Sequence, residues 1–411
     1  MEDSNQKLVV LPNGLRLLYE HLPNYKSFIL SISVLAGSRQ DPNKKEGLAH
    51  FVEHQLFRRN ENYTNTQIAK EFERTGTLYN AFTEHEITVF YLKSLNENFT
   101  KVYTLLTDFF VKPVFNEKDF EKEKKIILEE IKSYYDDPEE LIFDLGNEII
   151  YPKHSLGRLI TGTEKTLENI TLQDIKQFFN QYYTSTNILI SFIGNIPFEQ
   201  FFELSSKIFS DFPSAEIPKK TEKLPTFTPK SKILKKSIEQ SHILMLKRID
   251  NVEPDLILNL KLLSYFLGES PSSMIYNQLR EKSALVYNSF TNLEQYIDTN
   301  VLQIYFATDK NKLDKSFEII DEIFNKIKNG KISKDLFNIS KNAMVAQHIY
   351  KIELPFEKMM NTLRSIQLNE KYPLNDNFIS KLKLIKFEEF LEFSKAIISE
   401  NSWSKVEILQ R

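Results

Sequence analysis

Cysteine is absent from all 411 residues, which excludes disulfide bonds and thiolate-ligated metal alike. Any metal would have to be held by histidine, aspartate or glutamate. Positive charge is not in excess either: 53 Lys+Arg stand against 56 Asp+Glu, a balance that points away from nucleic acid and anionic membranes as partners. No apolar run reaches the roughly 18 residues that a membrane span needs. Residues 1–6 are acidic and polar where a secretory leader would be basic and then apolar. The expectation is a cytoplasmic chain with no membrane and no nucleic-acid partner.

What is present describes an ordinary globular protein, with 41% hydrophobic and 27% charged residues. The length exceeds one typical core, so two or more domains are expected. Residues 7–18 alternate around Pro12-Asn13-Gly14 and predict strand, turn, strand. A third strand at 27–35 is mostly apolar, as in a strand buried on both faces. Helical periodicity covers 64–75, 99–110, 116–135, 141–150 and 172–183, and 78–92 and 187–196 read as extended. Pro213, Pro218, Pro225 and Pro229, with Lys219, Lys220 and Lys223 among them, mark an extended linker. The expected division is 1–215, a linker at 216–230, and 231–411.

The second half repeats the first. Helical patterns at 315–327 and 332–348 match the pair at 99–110 and 116–135, and 329–337 parallels 112–120 around the aromatic positions Phe120 and Phe337. The finish at 387–393 and 406–409 echoes 172–193. The fold class predicted is α+β: two tandem homologous α/β units, each a mostly antiparallel sheet covered by helices.

One stretch of the first half carries chemistry. His50-Phe51-Val52-Glu53-His54 is a His-x-x-Glu-His pattern, the inverzincin order of the zinc-protease motif. On a helix, His50 and His54 leave the same face one turn apart, which suits two ligands on one zinc ion, and Glu53 is placed to act on water. The second half has no such pair, so one metal site is expected. A third ligand must come from elsewhere. Glu123 and Glu130 lie seven residues apart on one face of the 116–135 helix, and Glu129 points about 100° away. Each of the three could ligate, although carboxylates in such a helix are more often solvated charges on its surface.

With these residues in view, the chain resembles the M16 (pitrilysin-type) zinc peptidases. It is most similar to the short M16B members related to mitochondrial processing peptidase, and the resemblance runs across nearly the whole chain. It implies a fold of the M16/LuxS metallohydrolase type, forming half of a peptidase chamber. The family places its third ligand 76 residues after the second histidine, which selects Glu130, and it implies one Zn2+ per chain. Glu123 matches a carboxylate that supports a ligand from behind. Gly76 to Thr83 is similar to the family strand beside which substrate lies, giving Asn80, Ala81, Phe82 and Thr83 as substrate-binding positions. Arg280 and Tyr287 keep the seven-residue separation of the family's Arg/Tyr element. Two positions depart from it: Ala284, where glycine is frequent, and Val286, where alanine is.

The resemblance implies a zinc endopeptidase acting on short or unfolded peptides in a closed chamber. Glu53 would take a proton from the attacking water and pass it to the leaving amine, and Arg280 and Tyr287 would hold the substrate carbonyl. The presence of every one of these residues in one chain favours a homodimer, with pairing to another M16 chain as the alternative. Processing of one dedicated precursor with a partner chain, and a non-catalytic scaffold of the same fold, are the competing functions.

Overall fold

Gly14 sits at φ +88 in the turn after Pro12, a left-handed conformation that glycine adopts without cost. It folds strand β1 (Gln6–Val10) back on β2 (Arg16–His21) as the first antiparallel pair. Further strands are β3 (Ser27–Val34), β4 (Leu78–Thr83), β5 (Thr88–Leu95) and β6 (Ile188–Gly194). They form one six-stranded sheet in the order β1-β2-β6-β3-β5-β4. A second sheet holds β7 (Ser231–Lys236), β8 (Ser241–Asp250), β9 (Val286–Gln295), β10 (Thr299–Thr308) and β11 (Ser404–Gln410), in the order β7-β11-β8-β10-β9. The helices up to the second sheet are α1 (Leu48–Leu56), α2 (Asn65–Arg74), α3 (Phe99–Val111), α4 (Glu117–Asp136), α5 (Pro138–Ile150), α6 (Glu164–Glu168), α7 (Leu172–Tyr182) and α8 (Phe198–Ile208). Those after it begins are α9 (Ile257–Gly268), α10 (Met274–Tyr276), α11 (Leu313–Lys328), α12 (Lys334–Glu353), α13 (Pro355–Gln367), α14 (Asn375–Leu384) and α15 (Phe387–Ser399). The structure, a computed structural model, describes residues 6–215, 222–368, 375–399 and 402–411, so 216–221 of the expected linker lie outside the described residues. None of the described helices is long and apolar enough to cross a membrane.

The two sheets share one wiring. β2 pairs in parallel with β6, and β7 in parallel with β11; in each sheet the remaining steps, through β3, β5 and β4 or through β8, β10 and β9, are antiparallel. Helix lengths repeat as well. The pair α4 and α5 has 20 and 13 residues, and so does the pair α12 and α13, each shorter helix opening on a proline that costs no helical hydrogen bond at N1. Each half is therefore a mostly antiparallel sheet with helices, as the repeat in the sequence predicts.

The chain divides into two compact units, 1–134 with 154–223, and 135–153 with 224–411. The first is built on an aromatic core in which Phe28, Phe99 and Phe192 pack at ring separations of 5.4–5.5 Å. The second has its own core around Leu262, Phe266, Phe306 and Phe390. Helix α5 belongs to this second unit. Gly146 lets it approach the sheet: a Cβ there would stand 2.9 Å from a Leu244 methyl carbon and 3.0 Å from one of Leu246.

Candidate metal centre

Helix α1 is buried almost all round, with Leu48, Ala49, Phe51, Val52 and Leu56 at 2% exposure or less. A helix so enclosed has little freedom to rotate, which fixes the directions of its polar side chains. Its start is also held. Gly47 has φ +95, and a Cβ there would meet the Thr161 carbonyl oxygen at 2.5 Å, so only glycine fits. Asp41 accepts from the Gly47 and Ala49 amides, both at 2.8 Å, capping the helix from six residues upstream.

From this helix, His50 and His54 project side by side with ring centroids 4.5 Å apart. Burial, then the neighbouring His54 ring, push His50 down to about 3, so its imidazole is neutral and has a lone pair to give. Across from them stands Glu130 of α4. Its Oε1 lies 3.7 Å from His50 Nε2 and its Oε2 lies 3.6 Å from His54 Nε2. Ligand atoms of the three residues all fall within 4.8 Å of one another.

These separations discriminate between a hydrogen-bonded cluster and a metal cage. Direct N–H···O bonds end near about 3.2 Å. Donors held roughly 2.0–2.1 Å from a tetrahedral zinc ion stand about 3.3–3.4 Å apart. Two imidazole nitrogens turned toward one carboxylate at 3.6–3.7 Å suit a shared cation better than each other. Two neutral nitrogens and a carboxylate are also the donor set zinc takes in catalytic sites.

The same α4 register separates the three candidate carboxylates. Phe120, Glu123, Ile127 and Ile131 form the buried stripe of the helix, and Glu130 lies beside it. Glu129 points away, 74% exposed and paired with Lys132. Glu123 is 3% exposed and reaches the back of His54, accepting from Nδ1 at 3.0 Å. A carboxylate oxygen accepts, so in a neutral His54 ring this bond would place the proton on Nδ1 and turn the Nε2 lone pair toward Glu130.

Glu53 is buried on the same helix, and burial pushes its carboxyl upward from the ordinary range; a hydrogen bond from Thr83 opposes that rise. Thr83 Oγ1 donates to Glu53 Oε2 at 2.7 Å. Thr83 ends β4, the edge strand of the first sheet, paired only with β5 among the described strands. Asn80, Ala81 and Phe82 precede it on that strand, Ala81 sharing its face and the other two facing the opposite way. The hairpin joining β4 to β5 is tied to the segment before α1 by a buried Arg39–Glu86 ion pair and by a 3.0 Å contact between Ser38 Oγ and His85 Nδ1. These ties carry the edge strand to the helix that bears Glu53.

Arg280 and Tyr287 belong to the second unit. Arg280 lies in a π-helical turn over 277–282 with its guanidinium 5.2 Å from the Tyr276 ring and 6.0 Å from that of Tyr287, the second residue of β9, which is 75% exposed. The cluster of the first unit thus gathers His50, Glu53, His54, Thr83, Glu123 and Glu130. Sequence reasoning missed Arg58, whose guanidinium pairs with Glu123, and Asp41 as the remote cap of α1. Arg58 continues the four-residue spacing of His50 and His54 but stands past the end of α1, and Asp41 precedes the helix, where no spacing marks it.

Comparisons with known proteins place the chain in a family. Residues 16–164 match the family described as Insulinase (Peptidase family M16), and residues 169–344 match the one described as Peptidase M16 inactive domain. The chain is 31% identical over 389 residues to an uncharacterized zinc protease, YmxG, of Bacillus subtilis, covering 95% of each. It is 32% identical over 345 residues to the mitochondrial-processing peptidase subunit beta of Saccharomyces cerevisiae, covering 79% of this chain and 73% of that one. In fold it is similar to the crystal structure of a protease from Helicobacter pylori, with a TM-score of 0.91, 23% identity, and 98% and 99% of the two chains covered. The chain belongs to the M16 peptidase family.

Proposed function

We propose that the protein is a zinc-dependent endopeptidase that hydrolyses short or unfolded peptides, with one Zn2+ per chain held by His50, His54 and Glu130. The observation that carries this is the convergence of both imidazole Nε2 atoms on the two oxygens of Glu130, at 3.7 and 3.6 Å. Zinc bound there supplies Lewis acidity toward a peptide carbonyl and lowers the pKa of water toward neutrality.

The chain's own residues supply the rest. Glu53 Oε2 is engaged by Thr83, which leaves Oε1 to accept the proton of the attacking water and deliver it to the leaving amine nitrogen. Edge strand β4, paired only with β5 among the described strands, offers its outer edge to an extended peptide, a mode that selects extended backbone more strongly than sequence. Arg280 and Tyr287 offer N–H and O–H donors of the kind that hold a carbonyl oxygen, and the family resemblance assigns them that part. A homodimer is the assembly proposed, on the ground that all these residues reside in one chain. The yeast relative is itself named a subunit, which keeps pairing with a different M16 chain as the second reading.

The test is hydrolysis of an unstructured peptide library by the purified protein, read by mass spectrometry with and without a chelator. Metal content and solution mass are taken on the same sample. Chelator-sensitive cuts with about one zinc per chain are expected. Glu53→Gln should keep the zinc and lose at least about 99% of the cleavage. Full cleavage by zinc-loaded Glu53→Gln protein would overturn the assignment of Glu53, and a parent protein that takes up no zinc would overturn the metal site.

A further inference from the structure

The two histidines of the motif are supported unequally. His50 Nδ1 is buried and meets no hydrogen-bonding group among the described residues. His54 Nδ1 instead donates to Glu123 Oε2, and the other oxygen of that carboxylate, Oε1, pairs with Arg58 Nε. Arg58 stands just past the end of α1, and its side chain is 12% exposed. The next residue, Arg59, reaches the same helix α4 one turn earlier, with Nε 2.9 Å from Asp119 Oδ2, and Asn116 Nδ2 donates to that same oxygen. Two consecutive guanidinium groups therefore grip α4 at positions 119 and 123, on the side of the helix that carries Glu130 seven residues further on.

We propose that Arg58 is a positioning residue of the metal centre: by holding Glu123 Oε1 it aims Oε2 at His54 Nδ1, and so orients the imidazole whose Nε2 faces Glu130. A carboxylate buried to 3% exposure cannot turn to solvent for a second partner, so one guanidinium determines which way it faces. With Arg58 removed, Glu123 rotates toward whatever donor remains and the His54 ring loses both its orientation and its preferred tautomer. Groups that orient a metal-binding histidine typically contribute about 10- to 100-fold to metal affinity. The inference rests on the zinc reading above, but it concerns this chain's own residues and is measurable without turnover.

The experiment has two readouts. Zinc affinity is measured by competition with a chromogenic chelator for the parent, Arg58→Met, Arg58→Lys, Glu123→Gln and the Arg58→Met/Glu123→Gln double variant. The tautomer of His54 is read in the metal-free proteins by heteronuclear NMR of the ring nitrogens. Arg58→Met should weaken zinc binding about tenfold and lower the Nδ1–H population of His54, Arg58→Lys should recover most of both, and the double variant should bind no worse than Glu123→Gln alone. If Arg58→Met unfolds, the same cycle run with Arg58→Lys decides, because its smaller loss must vanish in the Glu123→Gln background. Parent-like affinity and tautomer in Arg58→Met would overturn the inference. So would a loss that adds in full to that of Glu123→Gln, the mark of a merely structural arginine. A parent that binds no zinc sinks the functional reading instead, and the tautomer measurement still judges Arg58.

Discussion

Ala284 holds φ +48, the left-handed region that a Cβ disfavours. Its place explains why the backbone goes there. The turn over 277–282 is closing, the Ala284 amide donates back to the Arg280 carbonyl and the Leu285 amide to that of Leu279, a helix-ending pattern that favours glycine. The sequence marks this position as a departure from the family, where glycine is frequent; the structure supplies the physical cost of the departure. Because Ala284 is exposed, no packing is lost on removing its methyl group. Ala284→Gly should therefore stabilise the protein by about 0.5–1 kcal/mol, the left-handed strain less the extra chain entropy of glycine. Denaturant unfolding checks this, and a variant no more stable than the parent would mean the turn carries no strain. Other single residues were legible only in part. His50, Glu53 and His54 announce themselves because helical spacing and metal chemistry demand the same pattern. Arg58 keeps the four-residue spacing of the two histidines, but its partner lies on α4, and Asp41 caps α1 from outside it, contacts that spacing along one helix does not encode.

At the scale of elements, the helices of strong period were legible: α3 and α4 fall within a residue or so of the predicted 99–110 and 116–135. Strand β9 was not, because its residues mix apolar and polar types as an edge strand's do. The allegiance of α5 was not legible either. Its apolar face, with Leu141, Ile142, Ile149 and Ile150 buried, reads the same whichever sheet receives it. One consequence of its docking is electrostatic. Asp144 of α5 is pushed up from 3.8 to about 7 by burial and by the charges of Glu140, one turn back, and Glu294 on β9. Glu294 itself accepts hydrogen bonds from Tyr296 at 2.5 Å and Gln303 at 2.8 Å. A carboxyl whose folded pKa exceeds its unfolded one stabilises the fold when protonated. That contribution is fully present below about pH 4 and is lost as pH rises through about 7. Asp144→Asn, which stays neutral, should match the parent near pH 3 and exceed it by roughly 4 kcal/mol at pH 8. Thermal melts at the two pH values measure this, and a difference that does not change with pH would show that Asp144 titrates alike in the folded and the unfolded chain.

For the whole molecule, the duplication was legible in the repeated helix pair. The parallel joins β2–β6 and β7–β11 were not, since each links strands more than 160 residues apart in the chain. A sequence also cannot show that a compact unit is discontinuous. Residues 135–153 belong with 224–411, although the stretch 154–223 that follows them belongs with 1–134. Cutting the chain after 223 would therefore sever one connection while leaving α5, carried by the N-terminal piece, packed on the second sheet. Its four buried aliphatic side chains represent roughly 6–12 kcal/mol of burial before the cost of association. The Arg248 guanidinium adds a hydrogen bond to the Ile150 carbonyl at the end of the helix. A protease site introduced within 224–230 and cut to completion should thus yield two fragments that co-elute in native buffer and separate only in denaturant. Fragments that part in native buffer would show that α5 is held in the second unit by chain continuity rather than by its buried face.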